Sequence, residues 1–147
     1  MKIVSACLIG INCTYKKGNN LDERLYEAFK KGELLPVCPE VLAGLATPRP
    51  NAEISGGSGS DVLDGKARVV EPDGNDVTGR FIDGAEETLK AAKAIGAKEA
   101  ILKARSPSCG CGKTYDGTFS HKLIDGDGVT TALLKRNGII VKTEEDF

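Results

Sequence analysis

Five cysteines, Cys7, Cys13, Cys38, Cys109 and Cys111, are the residues of this 147-residue chain best suited to chemistry. Their number is odd, and the chain opens into Lys2-Ile3-Val4 without a signal-peptide pattern, so metal binding or thiol chemistry is a stronger reading than disulfides. Any one of them taken alone reads as an inert core residue. Their placement changes this, because Cys7, Cys38 and Cys109 each fall at or just after the end of a short apolar run. Three converging thiolates suit Zn(II), Cu(I) or an iron–sulfur centre over hard cations. The spacing is unlike a zinc ribbon, which needs paired C-x-x-C knuckles, and Cys109-Gly110-Cys111 is a weak signal by itself. A cluster held by three cysteines leaves one iron without a protein ligand, as a catalytic rather than a structural site requires.

Polar residues stand beside each of these thiols. In Arg105-Ser106-Pro107-Ser108-Cys109-Gly110-Cys111-Gly112, the proline restricts itself and Ser106 to extended backbone, and the glycines allow close approaches. Ser106 and Ser108 are readable as proton donors, as substrate hydrogen-bonders or as turn formers. Glu40, in Cys38-Pro39-Glu40, is a general acid or base if partly desolvated and otherwise a solvated loop carboxylate. Arg49, held between two prolines, can pair with an anionic or carbonyl-rich ligand or tie its loop to the body. With His121 the only histidine and no base near either serine, a serine-hydrolase triad is disfavoured, and His121 reads as a surface or loop residue. Asp125-Gly126-Asp127-Gly128 lacks the further ligands of a calcium loop and reads as a turn into a helix whose N-terminus could take an anion.

Strands and helices must bring these residues together. Strands are expected at Lys2–Cys7, Leu34–Cys38, Lys98–Ala104 and Gly138–Lys142, the second short or at an edge because of Pro36. Helices are expected from Asn20 as cap through Phe29, from Thr78 to about Ile95, and from Asp127 or Gly128 to Asn137. Residues 41–59 read as a long loop, Val62–Val70 as a strand or hairpin, Tyr115–Phe119 as a turn shaping one pocket wall, and Glu144–Asp146 as a solvated tail. Alternating strands and helices argue for one α/β domain over 1–147, a three-layer, Rossmann-like and mainly parallel sheet with helices on both faces. Ligands of such sheets bind beyond the strands' carboxyl ends. A net charge of −1 argues against general nucleic-acid binding, and the apolar runs are far shorter than a membrane helix needs, so a cytoplasmic protein is expected. The sequence is silent on oligomeric state.

Taken in order, Ser5-Ala6-Cys7-Leu8-Ile9-Gly10, Cys13, Pro36-Val37-Cys38-Pro39-Glu40, Gly44-Leu45, Thr47-Pro48-Arg49-Pro50, Ala52-Glu53-Ile54, Ser106-Pro107-Ser108-Cys109-Gly110, Tyr115-Asp116-Gly117-Thr118-Phe119 and Gly126-Asp127-Gly128-Val129-Thr130 resemble one family. It is the small bacterial proteins of domain-of-unknown-function family 523 (DUF523), which include thiouracil desulfidases, and the resemblance runs from about Lys2 to Val141. It implies an oxygen-sensitive [4Fe-4S] enzyme that removes sulfur from a thiolated pyrimidine without net redox change. The implied ligands are Cys7, Cys38 and Cys109, with Cys13 a possible substitute and Cys111 accessory. Glu40 and Ser106 are the implied acid/base and proton-relay residues, with Arg49 and Ser108 toward the substrate. The chain departs from the family pattern around Tyr15, at Thr14 and Lys16-Lys17. Two other readings are a sulfur-transfer protein acting on another small molecule or tRNA, and a zinc- or cluster-stabilised binding module or redox sensor.

Overall fold

In the computed structural model, which describes residues 1–147, the aliphatic runs form strands of three or four residues. Four of them, β1 (Lys2–Ser5), β2 (Leu34–Val37), β5 (Glu99–Leu102) and β8 (Ile140–Thr143), make a parallel sheet in the order β2-β1-β5-β8. The register sets Ile3 beside Leu35 and Ala100, and Ala100 beside Val141. Side chains alternate across the sheet, so Ile3, Ala100, Leu102 and Val141 face one core with Ala92 and Leu134. Val4 and Ile101 face another with Leu25 and Leu8. The first core lies under α4 (Thr78–Ala94) and α5 (Val129–Arg136), the second under α1 (Glu23–Lys30), which gives the three layers expected. Pro36 is accommodated because β2 is an edge strand. The chain leaves β1 toward β2 and leaves β5 toward β8, so the sheet's topological switch point lies between β1 and β5.

Several local expectations need correction. Asp22, not Asn20, caps α1, its Oδ1 accepting from the N–H groups of Arg24 and Leu25. At α4, Asp76 accepts from Thr78 N–H, so Thr78 lies inside the helix it was expected to cap. Residues 41–59 are not one loop, since α2 (Pro39–Leu42) and β3 (Glu53–Ser55) frame a shorter connection. Val62 belongs to α3 (Gly59–Leu63), whose start is fixed by Ser58 N–H donating to Asp61, and only Arg68–Val70 is a strand, β4, antiparallel to β3. Ile54, Val69, Val62 and Phe81 bury this second sheet against α4. Lys113–Tyr115 and Leu123–Asp125 form a further hairpin, β6 and β7, around the expected Tyr115–Phe119 turn. The acidic tail is a 3-10 turn tied to the body: Glu144 accepts from Ala104 N–H and Lys103 Nζ, and Glu145 pairs with Arg105. No helix is long and apolar enough to cross a membrane.

Candidate functional site

A cavity of about 730 Å³ opens at the carboxyl ends of β1, β2 and β5. Cys7 reaches it from a 3-10 turn (Ala6–Ile9) directly after β1, Cys38 from the residue between β2 and α2, and Cys109 from the loop after β5. Cys13 lines it as well, from the loop after that turn. All five cysteines are free thiols. Cys111 packs against the first core with its Sγ 3.5 Å from Val141 O and does not line the cavity. No three His, Cys, Asp or Glu side chains gather tightly enough for one metal ion. The four cavity thiols share one cavity, with Cys13 in hydrogen-bonding contact with Cys7 and Cys38.

The loop carrying Cys109 is held by donors that a helix start leaves free. N–H groups of Val129, Thr130 and Thr131 at the head of α5 donate to the carbonyls of Pro107 and Ser108, and Thr131 Oγ1 donates to Cys109 O at 2.8 Å. Gly128 permits the approach: a Cβ there would stand 2.5 Å from Ser108 O. These donors are consumed within the protein, so the helix start offers no anion site. On the Cys38 side, Gly84 lets α4 seat against α2, because a Cβ would come within 2.2 Å of Pro39 O.

The thiols differ in acidity. Hydrogen bonding from the Cys13 thiol lowers Cys38 to about 6 against the cost of burial, with help from the Val41 N–H and Arg49. The Cys13 thiol also lowers Cys7, with Asn20 contributing. Cys13, facing both, is raised, and burial raises Cys109.

Glu40 sits in the first turn of α2 and lines the cavity with both carboxylate oxygens anchored. Arg49 Nε donates to Oε1 at 3.0 Å and Ser108 Oγ donates to Oε2 at 3.1 Å. The Arg49 side chain is 6% exposed and that of Glu40 17%. Arg49 also donates to Cys13 O (2.8 Å), Ala46 O and Thr47 Oγ1, so four of its contacts are to the protein. Ser108 is 1% exposed and outside the cavity lining. Arg49 lines the cavity while giving four hydrogen bonds to Glu40 and its surrounding loops, and Ser108 donates to Glu40 from outside the lining, so both orient the Glu40 carboxylate. Ser106 lines the cavity, its Oγ accepting from Ser108 N–H and Cys109 N–H, which leaves its own O–H to donate elsewhere.

Residues 3–146 match the model of the 2-thiouracil desulfurase family. The chain belongs to that family. It is 47% identical to the uncharacterized protein YbbK of Bacillus subtilis (strain 168), over all of this chain and 97% of that one. Its fold is similar to a solved structure of the [4Fe-4S]-dependent thiouracil desulfidase TudS (DUF523Vcz), with a TM-score of 0.87 and 41% identity, covering 99% of this chain and 91% of the other.

Cavity residues that sequence reasoning did not single out for a site include Asn20, Glu53 and Lys103. Asn20 was obscured by its resemblance to a helix cap. Glu53 gave no signal, because a carboxylate between the apolar Ala52 and Ile54 is the ordinary alternation of a half-buried strand. His121 is exposed and borders the cavity, packed edge-on to Tyr115 with ring centroids 6.3 Å apart.

Proposed function

We propose that one domain spanning residues 1–147 desulfurates a thiolated pyrimidine such as thiouracil, releasing sulfide by a hydrolytic, non-redox route. The observation that carries this reading is the arrival of Cys7, Cys38 and Cys109, far apart in sequence, in one cavity beside an anchored carboxylate. The donors are all sulfur and line a large opening, which fits a [4Fe-4S] cluster held by these three thiolates. When bound, the cluster supplies a Lewis-acidic iron without a protein ligand, suited to the soft sulfur of a thiocarbonyl.

The chain's own residues account for the proton movements. Glu40 keeps a lone pair on each oxygen after accepting from Arg49 and Ser108, so it can take a proton from the water that attacks the thiocarbonyl carbon. Arg49 and Ser108 fix the carboxylate's direction, which confines the attacking water to one approach. Ser106, whose oxygen is held by two backbone N–H groups, relays a proton through its O–H to the departing sulfur as the C–S bond breaks. It regains one from cavity water, to which Glu40 gives up the proton it took. Water adds and sulfide leaves, so thiouracil becomes uracil with no electrons exchanged. Cys13 remains a neighbouring thiol, available as a substitute ligand. Five free cysteines suit a reducing bacterial cytoplasm.

Anaerobic reconstitution with iron and sulfide, metal and labile-sulfide analysis, and a thiouracil assay read by absorbance test the proposal. Protein that binds about four irons and converts thiouracil to uracil with stoichiometric free sulfide supports it. Reconstituted protein that holds no iron, or transfers sulfur without releasing sulfide, overturns it.

A further inference from the structure

The cavity wall contains a second carboxylate that this mechanism does not use. Glu53, on β3, is 5% exposed and lines the same cavity. Its Oε1 accepts two backbone N–H groups, from Gly117 at 3.0 Å and Phe119 at 3.1 Å. Its Oε2 has no hydrogen-bond or ion-pair partner within the protein. Glu40 is arranged differently, with each oxygen taking one protein donor.

The turn that supplies the two N–H groups is shaped to reach Glu53. Phe119 has φ 58° and Gly117 φ 92°, and a Cβ at Gly117 would stand 2.6 Å from Ile54 O, so only glycine lets the turn lie against β3. The carboxylate is thereby locked in one orientation, with its second oxygen unpartnered in a residue that lines the cavity. An acceptor held in a fixed direction favours a ligand that supplies a donor there. Thiolated uracils supply one. The N3–H group adjoins the thiocarbonyl carbon in both the 2-thio and 4-thio isomers, and N1–H adjoins it in the 2-thio isomer.

We infer that Glu53 is a specificity-determining residue, accepting a ring N–H of the thiolated pyrimidine at Oε2; this rests on the desulfidase reading above. Glu53→Gln separates recognition from support of the turn. Two backbone donors require an acceptor, so the Gln carbonyl takes the place of Oε1 and its NH2 group replaces Oε2, presenting a donor to the substrate N–H.

The test uses anaerobically reconstituted wild type and Glu53→Gln with 2-thiouracil and its 1-methyl and 3-methyl derivatives. The variant is expected to keep its iron content and melting temperature. Its KM for 2-thiouracil should rise roughly 10- to 100-fold, the range for a hydrogen bond to a charged group, with kcat within about threefold. Wild type should show a similar rise for the derivative methylated at the nitrogen that is read, and Glu53→Gln should add nothing further on that derivative. An unchanged KM for 2-thiouracil, or equal losses on all three compounds, would overturn the inference. If wild type releases no sulfide from any of them, the desulfidase reading fails by itself. Calorimetric binding of uracil then decides on Glu53 separately: weaker binding by the variant supports the role, equal binding rejects it.

Discussion

The floor of the cavity grows out of three adjacent parallel strands, whereas its outer wall hangs on side chains bonded to loop backbone. Cys7, Cys38 and Cys109 follow strands whose register is fixed and whose side chains fill two cores. Glu40 depends on Arg49 and Ser108, the Gly117–Phe119 turn on Glu53, and the start of the Cys109 loop on Glu144 through Ala104 and Lys103. Burial makes the floor hard to move. The wall is held by a few directional bonds, so single polar substitutions there should alter catalysis or selectivity and spare the sheet.

The largest expected effect tests the floor. Cys109→Ala should abolish cluster loading and sulfide release, while Cys111→Ala, outside the cavity, should leave both intact; iron and labile-sulfide analysis reads the contrast. On the wall, Glu40→Gln should retain the cluster and lower kcat by about 10²- to 10⁴-fold, the range for loss of a general acid or base. Full activity in that variant would remove Glu40 from the chemistry. Arg49→Ala leaves the Glu40 carboxylate without its cation and should cost about 3 kcal/mol in urea unfolding, with Arg49→Lys losing less.

A pH experiment separates the thiols of the floor from one another. In metal-free protein, alkylation of Cys38 should rise as pH increases through about 6, well below the ordinary thiol value of 9.0, because its deprotonated form is favoured. The buried Cys109, raised instead, should stay unreactive over the same range. Peptide mass mapping of the labelled sites checks this. The smallest effect is expected where the wall meets the tail. Glu144→Ala should cost about 1 kcal/mol, because it removes the partner of Ala104 N–H and Lys103 while leaving the sheet untouched.

The same division governs what the sequence discloses. Ile3-Val4, Leu34-Leu35 and Ala100-Ile101-Leu102 announce buried strands, and strands followed by helices of ordinary length imply a parallel sheet with a site at its carboxyl ends. The meeting of Cys7, Cys38 and Cys109 was legible for that reason. The wall was not, because its bonds have no period. Nothing in the residue pattern tells that Ser108 turns inward to Glu40, that Arg49 spends its donors on carbonyls, or that Glu144 folds back onto Ala104. Helix caps misled for a related reason: Asn20 and Asp22 are equally good caps by type, and only packing of the turn after β1 selects Asp22.

The three cavity thiols stand at positions 7, 38 and 109, so a group that joins them closes a chain loop of about a hundred residues. Cross-links spanning loops of that length remove roughly 4 to 5 kcal/mol of freedom from the unfolded chain. Loading the site should therefore staple β1, β2 and β5 to one another. Stripping the site would lower the stability of the sheet as well as end turnover, while the two apolar cores keep the emptied protein folded.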